Sequence, residues 1–299
     1  GSGKTLTAFL TILNELITLE ENNVLENKTY CIYISPLKAL NQDISVNLIE
    51  PLKEMEELNK KKLNINVQVR TGDTSATEKQ KMLRTVPHIL ITTPESLSIV
   101  LTSSKFINNL KEVKWVIIDE LHALADSKRG VHLSLSLERL EYLCKNSFTR
   151  IGLGATSEPI EAIAQFLVGS NRNCDIAQVD LTKKMDLKVL SPVSDLINVT
   201  YDKMHSSMYS LIDSLIQEHK TTLIFTNTRS ATERVVHHLK EKYPKKYAEN
   251  IGAHHGSLSK DHRLKLEERL RKGELRVVVS STSLELGIDI GYIDLVILL

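Results

Sequence analysis

The sequence is short of cysteine, of long apolar runs and of net charge, and each shortage excludes something. Its 299 residues include three cysteines, Cys31, Cys144 and Cys174. They lie far apart, and no pair has the spacing of zinc ligands or of a redox couple. Cys31 sits in an apolar run and reads as a small buried hydrophobe. A reducing, cytoplasmic setting fits this usage, and no signal peptide is visible. No stretch approaches the ~20 apolar residues that a membrane span needs. Lys plus Arg total 38 and Asp plus Glu 37, so the formal charge is +1. A protein that binds nucleic acid through charge alone is more basic. Any such binding must use a local basic groove or hydrogen bonds. Short repeats and low-complexity tracts are missing too.

What remains is ordinary globular material, 41% hydrophobic and 25% charged. The length favours two domains, each large enough for its own core. Strand-like and helix-like stretches alternate, which predicts an α/β fold with parallel sheets. Leu6, Phe9, Leu10, Leu13, Leu16 and Ile17 predict a helix over 5–19. Apolar runs predict strands at 30–34, 67–69, 88–91, 115–118 and 150–153. From about 180 to 199 the rhythm breaks around Pro192. It then restarts with strands at 222–225, 277–280 and 295–298, and helices over 231–239 and 260–271. The expected division is 1–185, a linker over 186–198, and 199–299.

Gly1-Ser2-Gly3-Lys4-Thr5 leads straight into the first helix. Glycines let backbone approach a phosphate, and a helix N-terminus offers free N–H groups. Lys4 would then reach the β- and γ-phosphates and Thr5 would bind Mg²⁺. Alone, Gly-Lys-Thr is equally a solvated turn. A second pattern shifts that balance. The apolar run Trp115-Val116-Ile117-Ile118 delivers Asp119 and Glu120 at its carboxyl end, where open α/β sheets bind ligands. Asp119 would hold Mg²⁺, and Glu120 would orient and deprotonate an attacking water. The plainer alternative is a helix start that favours acids. His122 follows directly and is a candidate γ-phosphate sensor or a link to the second half.

Asp119-Glu120-Leu121-His122 resembles the DExH box of superfamily 2 helicases. Ser35-Pro36-Leu37-Lys38-Ala39-Leu40 is similar to motif Ia of that family, Thr71-Gly72-Asp73 to the turn that follows, and Thr92-Thr93-Pro94-Glu95-Ser96-Leu97 to motif Ib. Gly154-Ala155-Thr156 takes the place of motif III. Ile224-Phe225-Thr226-Asn227-Thr228-Arg229 resembles motif IV. Ala253-His254-His255-Gly256-Ser257-Leu258 resembles the next backbone-contacting element. Ser281-Thr282-Ser283-Leu284-Glu285-Leu286-Gly287-Ile288-Asp289-Ile290 resembles motif V. Leu-His-Ala-Leu, Arg-Thr-Gly-Asp-Thr and Ser-Leu-Glu-Leu-Gly-Ile-Asp are most like the large helicase-related (Lhr) family of bacteria and archaea.

The resemblance implies two RecA-like domains of the P-loop NTPase class, with ATP and Mg²⁺ as cofactors. Gly1, Ser2, Gly3, Lys4, Thr5 and His122 of the first half would bind nucleotide, and Gly287 and Asp289 of the second would complete the site. Catalysis would fall to Glu120, Lys4 and Asp119. Pro36, Leu37, Lys38, Thr71, Gly72, Thr93, Pro94, Glu95, Asn227, Thr228, His255, Gly256, Ser257 and Ser281 would track nucleic acid. Small hydroxyls and backbone N–H groups at strand ends hold phosphates without reading bases. Binding should therefore show no sequence preference, and the resemblance implies single-stranded DNA or RNA, or a tailed duplex, as the partner, with movement 3′ to 5′.

Each motif also has a plain structural reading. Thr93 with Pro94 makes a good helix start, and Ser257 or Ser259 can cap the helix after it. Two departures stand out: Gly154 replaces the usual serine of motif III, and Ser281 replaces the usual threonine of motif V. The chain reads as cut at both ends, within the Walker A loop and before motif VI. An arginine finger from motif VI is worth 10³–10⁵ in rate in related systems, so residues 1–299 alone should turn ATP over slowly. A duplex translocase that does not unwind, or an idle binding module, remain the other readings.

Overall fold

The computed structural model describes residues 3–36, 44–154, 158–169, 171–178, 186–281 and 293–299. The chain divides into two compact units, Gly1–Asp180 and Leu181–Leu299. In the first, β1 (Cys31–Ile34), β2 (Val67–Arg70), β3 (Ile89–Thr92), β4 (Trp115–Ile118) and β5 (Thr149–Gly152) form one sheet. Their order is β2-β3-β1-β4-β5, and every pairing is parallel.

Both faces of this sheet are covered. Ile32 and Ile34 of β1 join a core with Leu97, Phe106, Leu133 and Leu137. Cys31 and Tyr33 point the other way, into a core with Phe9, Leu13 and Leu16. Alternate residues of a strand face opposite sides, so a sheet buried on both sides reads as unbroken apolar runs. The Lys4–Glu21 helix buries Phe9, Ile12, Leu13 and Leu16. Each such side chain contributes about 1.5–3 kcal/mol of burial. Leu10, expected inward, is 42% exposed, and Ile12 takes its place. At about 100° per residue, Leu10 lies nearly a third of a turn from the stripe centred on Phe9 and Leu16.

The register sets up the functional edge. Ile34 stands opposite both Thr92 and Ile118, Arg70 opposite Thr92, and Ile118 opposite Gly152. The residues that follow, Thr71, Thr93, Ser35, Asp119 and Leu153, therefore line one carboxyl edge. The ladder continues into it: Asp119 N donates to Ile34 O at 2.8 Å and Leu153 N to Ile118 O at 2.8 Å. β1 has β3 on one side and β4 on the other, so the connections diverge there and open a ligand crevice.

The second unit repeats the plan with β6 (Thr222–Phe225), β7 (Ile251–His254), β8 (Val277–Ser280) and β9 (Leu295–Leu298). Their order is β7-β8-β6-β9, again parallel. Tyr209, Ile212, Ile216, Val235 and Leu239 cover one face, and Leu266 and Leu270 the other. Thr226, His255 and Ser281 follow aligned strand ends. β7 was not expected, because Ile-Gly-Ala-His is a poor strand run. Gly252 is there for room: a Cβ on it would lie 2.6 Å from Leu266 Cδ1. Residues 186–199 contain no helix or strand, and Leu187, Val189 and Ile197 are almost fully exposed. Among the described residues no helix is long and apolar enough to cross a membrane.

Candidate functional site

Gly3 begins the first helix with φ 71°, and there is open space where its Cβ would be. Only glycine takes that conformation cheaply. Thr7 N and Thr7 Oγ1 both donate to Gly3 O at 2.9 Å, which fixes the turn. Lys4 then reaches across the sheet edge, and its Nζ donates to Gly154 O at 2.6 Å.

Beside it stand the carboxylates at the end of β4. Asp119 Oδ2 accepts from the Tyr33 hydroxyl, and Asp119 Oδ1 accepts from Glu120 N at 2.9 Å. Glu120 has φ 48°, in the left-handed region. A non-glycine residue there costs about 1–2 kcal/mol, and such strain gathers at functional turns. His122 Nε2 lies 3.4 Å from Glu120 Oε2. Burial pushes the Glu120 carboxyl above its usual range and the Asp119 charge adds to this, while His122 and Lys4 pull it back. A carboxylate raised in this way is a better proton acceptor.

Gly154 has a physical reason. A Cβ there would sit 3.0 Å from His122 Nδ1, and that nitrogen is buried with no hydrogen-bond partner among the described residues. The serine that Gly154 replaces would crowd the ring. Lys4, Glu120, His122 and Gly154 thus converge at one point of the edge.

Farther along the same edge, Thr93 is buried and caps the Pro94–Thr102 helix, accepting from Ser96 N at 3.3 Å. The helix-start reading of Thr93-Pro94 is therefore what the fold contains. Thr71 Oγ1 accepts from Asp73 N at 3.3 Å, and Gly72 is exposed. Glu95 and the carbonyl of buried Pro36 share one partner, Arg129. Its Nε donates to Glu95 Oε1 at 2.5 Å, and its Nη2 to Glu95 Oε2 at 3.2 Å and to Pro36 O at 3.0 Å.

In the second unit Asn227 and Thr228 are exposed, and Thr228 caps the Arg229–Lys242 helix. Arg229 Nη1 donates to Ser257 Oγ at 2.6 Å beside exposed Gly256. Ser259, not Ser257, caps the Lys260–Arg271 helix. His255 is buried, with Nε2 2.7 Å from Glu233 Oε1, and Ser281 is buried with its N donating to His254 O. Gly1, Ser2, Leu37, Lys38, Ala155, Thr156, Gly287 and Asp289 fall outside the described residues.

Two other features lie elsewhere. His237, His238 and Glu241 are close enough to share a metal ion. They sit on an outer helix face, where His238 already packs on His205 and Tyr209. A cavity of about 590 Å³ is lined by Glu138, Arg150, Phe166 and Arg172, but its arginines are spent on Glu138. Sequence reasoning missed Tyr33 and Arg129. Tyr33 reads as one more apolar strand residue, and Arg129 lies outside every motif.

A family model described as DEAD/DEAH box helicase matches residues 1–163, and one described as helicase conserved C-terminal domain matches residues 205–299. The chain belongs to the DEAD/DEAH box helicase family, whose members bind nucleotide. It is similar to the ATP-dependent helicase Lhr-Core of Methanothermobacter thermautotrophicus, 55% identical over 307 residues that cover 100% of this chain and 36% of that protein. It is also similar to the Lhr helicase/uracil glycosylase of Escherichia coli, 38% identical over 347 residues, covering 99% of this chain and 22% of that one. The chain thus spans about a third, 36% and 35%, of the curated Lhr-Core proteins of M. thermautotrophicus and Saccharolobus solfataricus. Among solved structures, the Mycobacterium smegmatis helicase Lhr bound to ssDNA and AMP-PNP has a TM-score of 0.84 at 40% identity, over 100% of this chain and 38% of that one. The DEAD-box helicase Mss116 bound to ssRNA and UDP-BeF has a TM-score of 0.65 at 18% identity over 94% and 55%, a likeness of fold alone. Both units therefore have the RecA-like helicase fold, and these Lhr relatives come from archaea and bacteria.

Proposed function

We propose that this chain is the ATP-driven motor of a nucleic-acid helicase, coupling hydrolysis to 3′-to-5′ movement and strand separation on DNA or RNA:DNA. The observation that carries this reading is the 2.6 Å contact of Lys4 Nζ with Gly154 O, at the strand end where Glu120 and His122 also meet. A lone phosphate-loop lysine proves little. One that spans 150 residues to reach the strand end beside the carboxylate turn supports a role in phosphoryl transfer.

In this reading Gly3 and the helix start hold phosphates through backbone N–H groups. Lys4 exchanges its carbonyl partner for the terminal phosphates. Glu120, held in its strained turn with a raised proton affinity, accepts the proton of the attacking water. His122, wedged against Gly154, orients Glu120. Thr5 and Asp119 offer a hydroxyl and a carboxylate, hard oxygen donors of the kind Mg²⁺ prefers; Tyr33 fixes the Asp119 carboxylate for that task. Mg²⁺ would there neutralise phosphate charge. Gly1, Ser2, Gly287 and Asp289 belong to the same proposal.

Nucleic acid would run along the carboxyl edges, on Pro36, Leu37, Lys38, Thr71, Gly72, Thr93, Pro94 and Glu95 in the first unit. In the second unit it would meet Asn227, Thr228, His255, Gly256, Ser257 and Ser281. Where side chains are committed to caps or carboxylates, as at Thr93 and His255, the backbone would make the contact. Residues 1–185 and 199–299 would be the two domains, with 186–198 as an exposed linker, and the protein would work in a prokaryotic cytoplasm.

The test is strand displacement by the full-length protein on tailed duplexes. ATP-dependent release from a 3′-tailed duplex, and not from a 5′-tailed one, is expected. ATP-driven movement along duplex without release would identify a translocase, and absence of nucleic-acid-stimulated hydrolysis would overturn the motor itself.

A further inference from the structure

Arg129 lies in no recognised motif, yet it joins three functional segments. It stands in the first turn of the Lys128–Leu143 helix, which Ser127 caps by accepting from Gly130 N. A Cβ at Gly130 would fall 2.0 Å from Leu124 O and 2.8 Å from Leu124 C. That backbone cannot be pushed aside, so only glycine lets the helix start press on the turn after Glu120. The turn is itself tied to the backbone of the carboxylate pair, because Ala123 N donates to the Glu120 carbonyl at 2.9 Å. From this fixed base Arg129 projects to the carboxyl edge. Its fork grips Glu95 with Nε at 2.5 Å and Nη2 at 3.2 Å, and the same Nη2 donates to Pro36 O at 3.0 Å.

Two features argue that the tie serves function more than stability. Arg129 and Glu95 side chains are 46% and 52% exposed, and exposed ion pairs contribute little to folding. A bare carboxylate on a surface meant for phosphates would also repel them, and Arg129 neutralises it. The fork geometry fixes direction as well as charge.

We propose that Arg129 is a positioning residue for nucleic acid. It holds the Pro36 and Glu95 segments in one geometry and, through Gly130, locks that geometry to the Asp119–Glu120 turn. This rests on the proposed function. The test uses the full-length protein and nucleic-acid-stimulated ATPase with Arg129→Ala, Arg129→Lys, Glu95→Gln and the Arg129→Ala/Glu95→Gln double variant. Loss of a charged, bidentate contact should raise the half-stimulating concentration of single-stranded DNA about ten-fold, while KM for ATP shifts less than about two-fold. Arg129→Lys should not restore it, because lysine lacks the fork. The double variant should be no worse than Arg129→Ala, the coupling expected of partners in one network. A half-stimulating concentration unchanged in Arg129→Ala, full rescue by lysine, or additive effects would each overturn the role. So would a parallel rise of both constants with a fall in thermal midpoint, which is what mere unfolding gives. No stimulation in the unaltered protein would instead bring down the proposed function, and this role with it.

Discussion

The two units share a fold and differ in what stands on its edge. In both, parallel strands end in register and present polar residues at the carboxyl side. In the first unit, Lys4, Glu120 and His122 converge there, with Glu120 held in a strained turn. In the second, several of the described side chains pair with one another: His255 lies on Glu233, His254 on Glu267, and Thr226 hydrogen-bonds Thr232. The same scaffold therefore gathers a lysine, a carboxylate and an imidazole at one point of the first edge and, among the described residues, mostly self-paired side chains on the second. Fold alone does not supply a function.

The largest expected effects concern the separateness of the two cores. Leu13→Ala in the first unit and Leu239→Ala in the second each remove a fully buried side chain, at a cost of about 2–5 kcal/mol. The chain has one tryptophan, and Trp115 lies in β4, so its fluorescence reports the first unit. Leu13→Ala should lower the fluorescence-detected transition. Leu239→Ala should lower the circular-dichroism transition and leave the fluorescence one in place. Equal shifts in both signals for Leu239→Ala would mean the cores unfold as one.

A smaller effect should follow from crowding the nucleotide edge. Gly154→Val places side-chain carbon against His122 and should slow stimulated hydrolysis about ten-fold, roughly 1.4 kcal/mol. Gly256→Val on the second unit's edge meets only the end of Arg229, at 3.7 Å, and should leave KM for ATP where it is. A Gly154→Val protein with full turnover would show that the His122 contact is incidental.

The smallest effect is on acid stability. Glu138, in the first unit, is held down at about 2 by its hydrogen bond with Arg172, with Arg150 adding to it. Its folded value lies below its unfolded one, so the stability it adds is complete above about pH 4.5 and is lost as pH falls towards 2. Glu138 is half exposed, so the term is modest. Glu138→Gln should lessen the loss of stability between pH 5 and 2.5, read by Trp115 fluorescence; an unchanged loss would show that the Arg172 pair contributes nothing.

Much of this was legible in the sequence, for identifiable reasons. Strands buried on both faces are apolar throughout, so β1, β3 and β4 announce themselves, and aligned ends then bring distant motifs together. Thr93-Pro94 carries its cap in its residue types. Less was legible where geometry, not composition, decides. Leu10 and Ile12 differ only by rotation about a helix axis. β7 is hidden by Gly252, which exists to admit Leu266. Arg129 is one arginine among many charged residues, and only the fold shows that it reaches both Pro36 and Glu95. The use of Gly154 is likewise invisible until His122 is seen beside it.

The central claim is that the edge of the first unit hydrolyses ATP through Glu120. Its most direct test is Glu120→Gln in the full-length protein, with nucleotide affinity and nucleic-acid-stimulated turnover measured together. Removing the proton acceptor should cut turnover by about 10²–10⁴ while ATP still binds. Turnover close to that of the unaltered protein, with nucleotide bound normally, would contradict the assignment.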